Sequence, residues 1–332
     1  MNTSLPVKLQ AIPTPIAGLA LGVASLGWGW EAFLPLHGWA QTVSALIAGV
    51  LLLLLTAKFL LNRSLVWNEL AHPVVGSVLP TFAMTLMVVS KAVSLHWAEL
   101  AVALWLAAIA LHLLFLGVFV THRARDFRLH HMVPAWFVPP VGLIVADVTF
   151  PGNPEFLFLA QVLLYFGLGM YAIMLPMMLY RLIFVEHVPE AAKPTIAIMA
   201  APASLGLAGY LTLVAQPQPM LVALLASIAV LMTLLIYTAF FDLLRLPFSP
   251  GYAAFTFPMV IGVKALVMLE GWLVAEGADL RDVQLIHLLA DVELAVATVV
   301  VGYVAVRYVR YFLPSWQVTT RPAGIDHGVI DR

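Results

Sequence analysis

The sequence predicts an all-α integral membrane protein: ten transmembrane helices, arranged as five parallel helical hairpins around a central pore. Three observations lead there. The 332 residues are 63% hydrophobic and 10% charged, with a mean hydropathy of +1.00, more apolar surface than a soluble fold of this length can hide. Mostly apolar stretches of about 18 residues or more recur along the whole chain, as spanning helices require. Prolines recur in alternate stretches, at Pro15, Pro80, Pro140, Pro202 and Pro258, in steps of 65, 60, 62 and 56 residues. Self-similarity at a fixed spacing marks a repeated unit. The ten-residue alternation of a transmembrane β-barrel is absent.

Taken in order, the spans are read at 14–34 and 40–61, 75–95 and 98–121, 134–150 and 155–185, 194–214 and 219–245, 252–275 and 284–312. Each pair is one hairpin, at 9–61, 75–121, 134–185, 194–245 and 252–312 of a single transmembrane domain, followed by a short cytoplasmic tail, 313–332. The first member of each pair carries the repeat proline together with Gly, Ser, Thr and small residues, as in IAIMAAPASLGLAGYLTLV; the second is smooth and suited to lipid, as in LVALLASIAVLMTLLIYTAFF. The fifth span is short and interrupted by VPPVG, and the sixth is long enough to tilt or to extend past the bilayer.

Placing both termini and the loops after even spans on one side gathers thirteen of the sixteen Lys and Arg residues there, from Lys8 to Arg321 and Arg332, against Arg281 on the other. Lys91 and Lys264 fall near or within spans. The basic side is the cytoplasmic one. Because every hairpin enters and leaves on that side, the repeats are parallel copies about an axis along the membrane normal, and five copies close most simply into a ring.

A proline inside a helix removes one donor and pushes away the carbonyl four residues earlier, here those of Ala254 for Pro258, Ile198 for Pro202 and Trp136 for Pro140. Lipid does not tolerate such a carbonyl, whereas protein or a water-filled cavity does. The broken helices therefore belong inside. They either line a pore or kink a solid bundle.

Other features exclude functions. With no cysteine, disulfides, thiolate catalysis and cysteine metal sites are ruled out. A net charge of −1 argues against a nucleic-acid partner. No polar stretch is long enough for a soluble domain, and the start, MNTSLPVKLQAIPTPIAG, carries no cleavable signal peptide. There is no HExxH and no paired metal-ligand spacing, so neither metal nor cofactor is expected. No nucleophile–base pairing suggests an intramembrane enzyme.

The motifs HMVPAWFVPPVG (131–142), KPTIAIMAAPASLGLAGYL (193–211) and AAFTFPMVIG (253–262) resemble the tellurite-resistance/dicarboxylate transporter family, which includes bacterial TehA, yeast malate and sulfite transporters and the plant slow-type anion channels. The resemblance runs from Pro15 to about Phe312. It implies five hairpins around a pore, a homotrimer with one pore per subunit, location in a bacterial inner (plasma) membrane and passage of small inorganic or carboxylate anions. It also implies a phenylalanine on the ninth span that plugs the pore; the match in FTFP is Phe257, with Phe255 two positions away. Two features depart from the family. Long terminal regulatory domains are lacking, so kinase control of the plant type is not expected. Lys264 and Glu270 fall within the ninth span.

Lys264 lies two helical turns after Phe257, on roughly the same face. An ionisable residue at that depth is functional by default: it either draws anions toward the plug or pairs with Glu270, Glu293 or Asp291. Lys91, Glu31, Asp147 and Glu270 fall toward the outer ends of odd spans, where they line a vestibule or snorkel to the interface; Asp147, deeper, is a candidate partner for Lys91 or Lys264. Ser204 and Thr256, beside the repeat prolines, are candidate lumen residues. His130 and His131 read as part of a solvated basic loop, His112 as a hydrogen-bonded packing residue, and Gly18 with Gly22 as a helix-packing motif. Two functions follow: a gated conduit for small anions, or a secondary transporter coupling a C4-dicarboxylate, sulfite or tellurite to protons through Glu270, Asp147 or Glu293.

Overall fold

The computed structural model describes residues 9–317; Lys8, Arg321, Arg332 and most of the expected tail lie outside the described residues. Helical runs occupy every stretch read as a span. We number them α1 (Ile16–Glu31), α2 (Trp39–Leu61), α3 (Arg63–Ala71, a short connector), α4 (Val75–Val93), α5 (Ala98–Arg125), α6 (Pro134–Val148), α7 (Pro154–Phe184), α8 (Glu190–Leu213), α9 (Pro219–Leu243), α10 (Pro250–Ala275) and α11 (Leu280–Gln317). No strand occurs among the described residues. Eight of these helices are long and apolar enough to cross a membrane; α1, with 16 residues, and α6 are shorter. The last helix continues to Gln317, past the expected start of the tail.

The repeat prolines act differently from the expectation. Pro80, Pro140, Pro202 and Pro258 lie inside the continuous helical runs α4, α6, α8 and α10, yet none of the five sits in the interior of an α-helical stretch. Pro15 immediately precedes α1, Pro80 immediately precedes the α-helical Thr81–Val93, Pro140 lies in the single turn Val138–Val141, and Pro202 and Pro258 fall in the first turns of Ala201–Leu213 and Thr256–Ala275. First-turn N–H groups have no intrahelical acceptor, so a missing one costs nothing there. What replaces the kink is a change of helix type. The segments Pro134–Phe137, Glu190–Ala200 and Pro250–Phe255 are 3-10 helix and tighten the chain before it relaxes into α-helix. Prolines do stand in helix interiors elsewhere, as at Pro194 in the 3-10 part of α8 and at Pro176 in α7, one of the helices expected to be smooth.

Five helices contact one another in a closed cycle, α1 to α4, α4 to α6, α6 to α8, α8 to α10 and α10 back to α1. Each remaining long helix packs over a neighbouring pair: α2 on α1 and α4, α5 on α4 and α6, α7 on α6 and α8, α9 on α8 and α10, α11 on α10 and α1. Burial follows the same division. The cycle members α4, α8 and α10 bury 67%, 83% and 78% of their most apolar windows, against 28–39% for the covering helices. Small residues allow the closest approaches. Gly18 and Gly22 do pack a helix: a Cβ on Gly18 would sit 3.4 Å from that of Ala253, and one on Gly22 would collide with the Thr256 side chain. The Thr256 hydroxyl donates to the Gly18 carbonyl at 3.0 Å, fastening α10 to α1.

The covering helices also satisfy the irregular backbone of α6. His112 on α5 donates from Nε2 to the Pro139 carbonyl at 2.8 Å, which makes it the hydrogen-bonded packing residue expected. The Trp105 indole donates to the Ala146 carbonyl at 3.0 Å. At one end of the bundle, side chains tie the loops 62–74, 126–133 and 185–189 together. Arg181 donates to the carbonyls of Glu186 (2.6 Å) and His130 (3.0 Å), Arg123 to that of Ala71 (2.6 Å), and the Trp136 indole to that of Pro73 (3.0 Å). A buried Lys58 pairs with Glu69 at 2.6 Å, and Thr14 donates to the same carboxylate. This is the end where the Lys and Arg residues concentrate, and it is called the basic end below.

Candidate functional site

A cavity of about 440 Å³ lies on the axis of the five-helix cycle and opens toward the basic end, where His72, Pro189 and Gly251 form its rim. Every cycle member contributes to its wall: Gly18 from α1, Val78 from α4, Val141 from α6, Ala201 from α8 and Ala254 from α10. Pro15, Pro202 and Pro258 are in that wall; Pro80 and Pro140 are not. The lining is almost wholly apolar, with His72, Thr81 and Thr195 as its polar side chains.

Phe257 stands at the inner end of this cavity. Beyond it lies a second, much smaller cavity of about 20 Å³, walled by Ser25, Trp28, Val88, Val148, Val260 and Lys264 among others. Two residues border both cavities, Phe257 and Leu205. Phe255 is elsewhere: fully buried, its ring packs 5.4 Å from that of Phe240 on α9 and 4.7 Å from Tyr252. Two residues along an α-helix turn a side chain through about 200°, so only one phenylalanine of FTFP can face the axis. Leu205 escaped the sequence reading because nothing distinguishes it from the other leucines of α8.

Ser204 and Thr256, expected beside the lumen, line neither cavity. Each is one residue, about 100° of helix, from a position that does. Ser204 is buried between α8 and its neighbours, its hydroxyl donating to the Ala200 carbonyl at 3.1 Å. Thr256 is spent on the α1–α10 contact. Polarity was the wrong guide to the lumen in a bundle whose small polar residues cement helices.

Among the described residues, no carboxylate comes within 4.0 Å of the Lys264 ammonium. Its Nζ lies 4.5 Å from the centre of the Trp28 ring, over the indole face. The partners considered for it are engaged or distant. Glu270 meets Nδ1 of His287 at 3.1 Å, with Asp291 3.8 Å from the other nitrogen of that ring. Glu293 lies against Gly262, where a Cβ would run into its carboxylate, and Oε2 has no hydrogen-bond partner among the described residues. Asp147 is completely buried beside Gly209, lines neither cavity, and has no partner for either carboxylate oxygen among the described residues. Lys91 makes no ion pair among them, and its interaction with Lys264 is repulsive. Glu31 turns back to accept the N–H groups of Gly38 (3.0 Å) and Ala40 (2.9 Å), capping α2. No cluster of three His, Asp or Glu close enough to hold a metal occurs among the described residues.

Trp28 was also missed. Its signal was present in the run Gly27-Trp28-Gly29-Trp30, a large ring between two glycines, of which Gly27 makes room for Ala40 and Ser44 of α2. The site as built offers an apolar chamber, a phenylalanine and a leucine bordering both it and the next cavity, and in that smaller pocket one lysine held over an indole.

A family model described as voltage-dependent anion channel (SLAC1) matches residues 14–309. Two proteins of Methanocaldococcus jannaschii are similar to the chain. Uncharacterized transporter MJ0762 is 28% identical over 225 residues, 59% of this chain and 65% of its own length. Uncharacterized transporter MJ0576 is 27% identical over 222 residues, 58% and 62% respectively. The match thus spans just under two thirds of each relative.

Proposed function

The chain belongs to the voltage-dependent anion channel family, and from that premise we propose that it is a gated channel for small anions whose central pore is occluded by Phe257. The observation that carries the reading is the position of one ring: Phe257 borders both the open chamber and the pocket beyond it, on the axis of the helix cycle. A phenyl ring and a leucine across a narrow apolar path block an ion sterically and also exclude the water it needs, so a small displacement of either opens the path.

In this reading the cycle is the inner wall of five hairpins and all ten long helices span. The 16 residues of α1 rise only about 24 Å, less than the roughly 30 Å hydrocarbon core. The covering helices α2 and α11, packed over α1, shield its ends from lipid. The basic end faces the cytoplasm with both termini. The protein sits in the inner (plasma) membrane of a bacterium as a homotrimer with one pore per subunit, as the resemblance to the tellurite-resistance family implies. Anion preference follows from Lys264 and Lys91 on the far side of Phe257, with no carboxylate paired to either among the described residues.

A proton-coupled transporter of C4-dicarboxylate, sulfite or tellurite is the second reading. Asp147 and Glu293 favour it: both are buried carboxyl groups without partners among the described residues, and unpaired acids within spans serve as proton carriers elsewhere. Flux from purified protein in liposomes separates the two. A channel passes chloride or nitrate down an imposed potential without moving protons; a coupled carrier drives dicarboxylate uptake from a pH gradient alone and shows no such current.

A further inference from the structure

We propose that Lys264, Ser25 and Trp28 form a binding site for one small monovalent inorganic anion, seated in the pocket immediately beyond Phe257. The inference rests on the pore reading above and narrows it: the site selects halide-sized ions and excludes carboxylates of four carbons.

Size comes first. The pocket measures about 20 Å³ against about 440 Å³ for the chamber. Since about 10–15 Å³ by this measure holds one water, the pocket takes a single species of water or halide size. A dicarboxylate fits the chamber and stops at Phe257.

Charge comes second. The Lys264 ammonium has no carboxylate within ion-pair distance among the described residues. The face of Trp28 holds it 4.5 Å from the ring centre, an attraction that positions the cation without neutralising it. The nearby Lys91 adds positive potential of the same sign.

The third observation is a donor kept in reserve. Serines and threonines within helices ordinarily bond back to a carbonyl three or four residues earlier. Ser77, Thr85, Ser90, Ser204 and Thr212 all do so here. Thr149, which also borders the pocket, spends its hydroxyl on the Val145 carbonyl at 2.7 Å. Ser25 does not: 7% exposed and in the wall of the pocket, its Oγ has no partner among the described residues. A hydroxyl and an ammonium in one cavity, otherwise walled almost entirely by aliphatic and aromatic side chains, are what a partly dehydrated halide requires, and the apolar walls strengthen both interactions.

The test is bromide binding to the purified full-length protein in detergent, read as the rise in unfolding temperature across a bromide series balanced with gluconate at constant ionic strength. Wild type is expected to show a saturable rise with bromide and chloride and none with malate. Ser25→Ala, which keeps every charge, weakens the apparent bromide affinity at least tenfold, and Lys264→Met abolishes the response. Bromide anomalous scattering in crystals then marks the pocket. Equal bromide responses in wild type and Ser25→Ala overturn the site, as does a malate response equal to that of bromide; should Lys264→Met fail to fold, Ser25→Ala decides alone. The outcomes also separate the site from the channel: chloride flux without Ser25-dependent bromide binding removes the site and leaves the pore, while Ser25-dependent binding without flux leaves the site and removes the pore.

Discussion

Replacing Trp105 with phenylalanine tests whether the covering helices sustain the irregular inner ones. Trp105 on α5 is fully buried, packed edge-on against Phe150 at 6.0 Å, and donates its indole N–H to the Ala146 carbonyl at 3.0 Å. That carbonyl lies in the last turn of α6, and its other donor is the Thr149 hydroxyl at 3.4 Å, a weak bond. Two losses add up. Leaving the carbonyl poorly satisfied in a buried apolar setting costs about 1–3 kcal/mol. Contracting the indole to a phenyl ring opens a void of roughly 40 Å³, which at about 24 cal/mol per Å³ costs about 1 kcal/mol. Trp105→Phe should therefore lose about 2–4 kcal/mol, whereas Trp97→Phe, 63% exposed, should change by less than about 0.5 kcal/mol. Reversible unfolding in mixed micelles, with the two variants side by side, measures the difference. Because Val141 and Val148 of α6 line the two cavities, a loosened α6 should also raise anion leak. Equal stabilities for the two variants would refute the claim that α5 supplies the missing backbone partners of α6.

Other expectations follow from the same geometry. The chain has no cysteine, so single cysteines at Ala201 and Ala254 should react with small water-soluble thiol reagents from the basic end, while those at Ser204 and Thr256 stay protected; the reverse pattern would move the lumen. Asp147→Asn and Glu293→Gln should leave chloride current intact in the channel reading, and abolition of proton-driven dicarboxylate uptake by either would establish the carrier. Reporter fusions at both termini should be cytoplasmic, and an external signal from either would overturn the charge-based orientation.

How far the sequence could be read depended on the kind of physics involved. Burial in lipid is set by composition, so the all-helical membrane class and the position of each helical run were legible to within a few residues. The Gly18–Gly22 packing motif was legible too, because a missing side chain has one obvious use between helices. The prolines were seen but misread: a ring locks φ in a first turn as readily as it kinks an interior, and only the backbone distinguishes Pro258, which begins an α-helix, from Pro176, which interrupts one. Lys264 was read as either drawing anions or pairing with a carboxylate; its seat over Trp28 was not legible, because an indole face on a helix distant in sequence carries no charge to search for. Ser25 offered no signal at all. Its distinction is a bond it does not make.

The central claim is that Phe257 closes the path, and anion flux in liposomes measures it directly. Phe257→Ala removes a ring that borders two cavities, so chloride flux should rise strongly while the protein keeps its fold. Phe255→Ala removes a fully buried ring packed on Phe240, and should lower stability by about 3–5 kcal/mol without opening the pore. Flux that rises in Phe255→Ala and stays at the wild-type level in a folded Phe257→Ala would contradict the account.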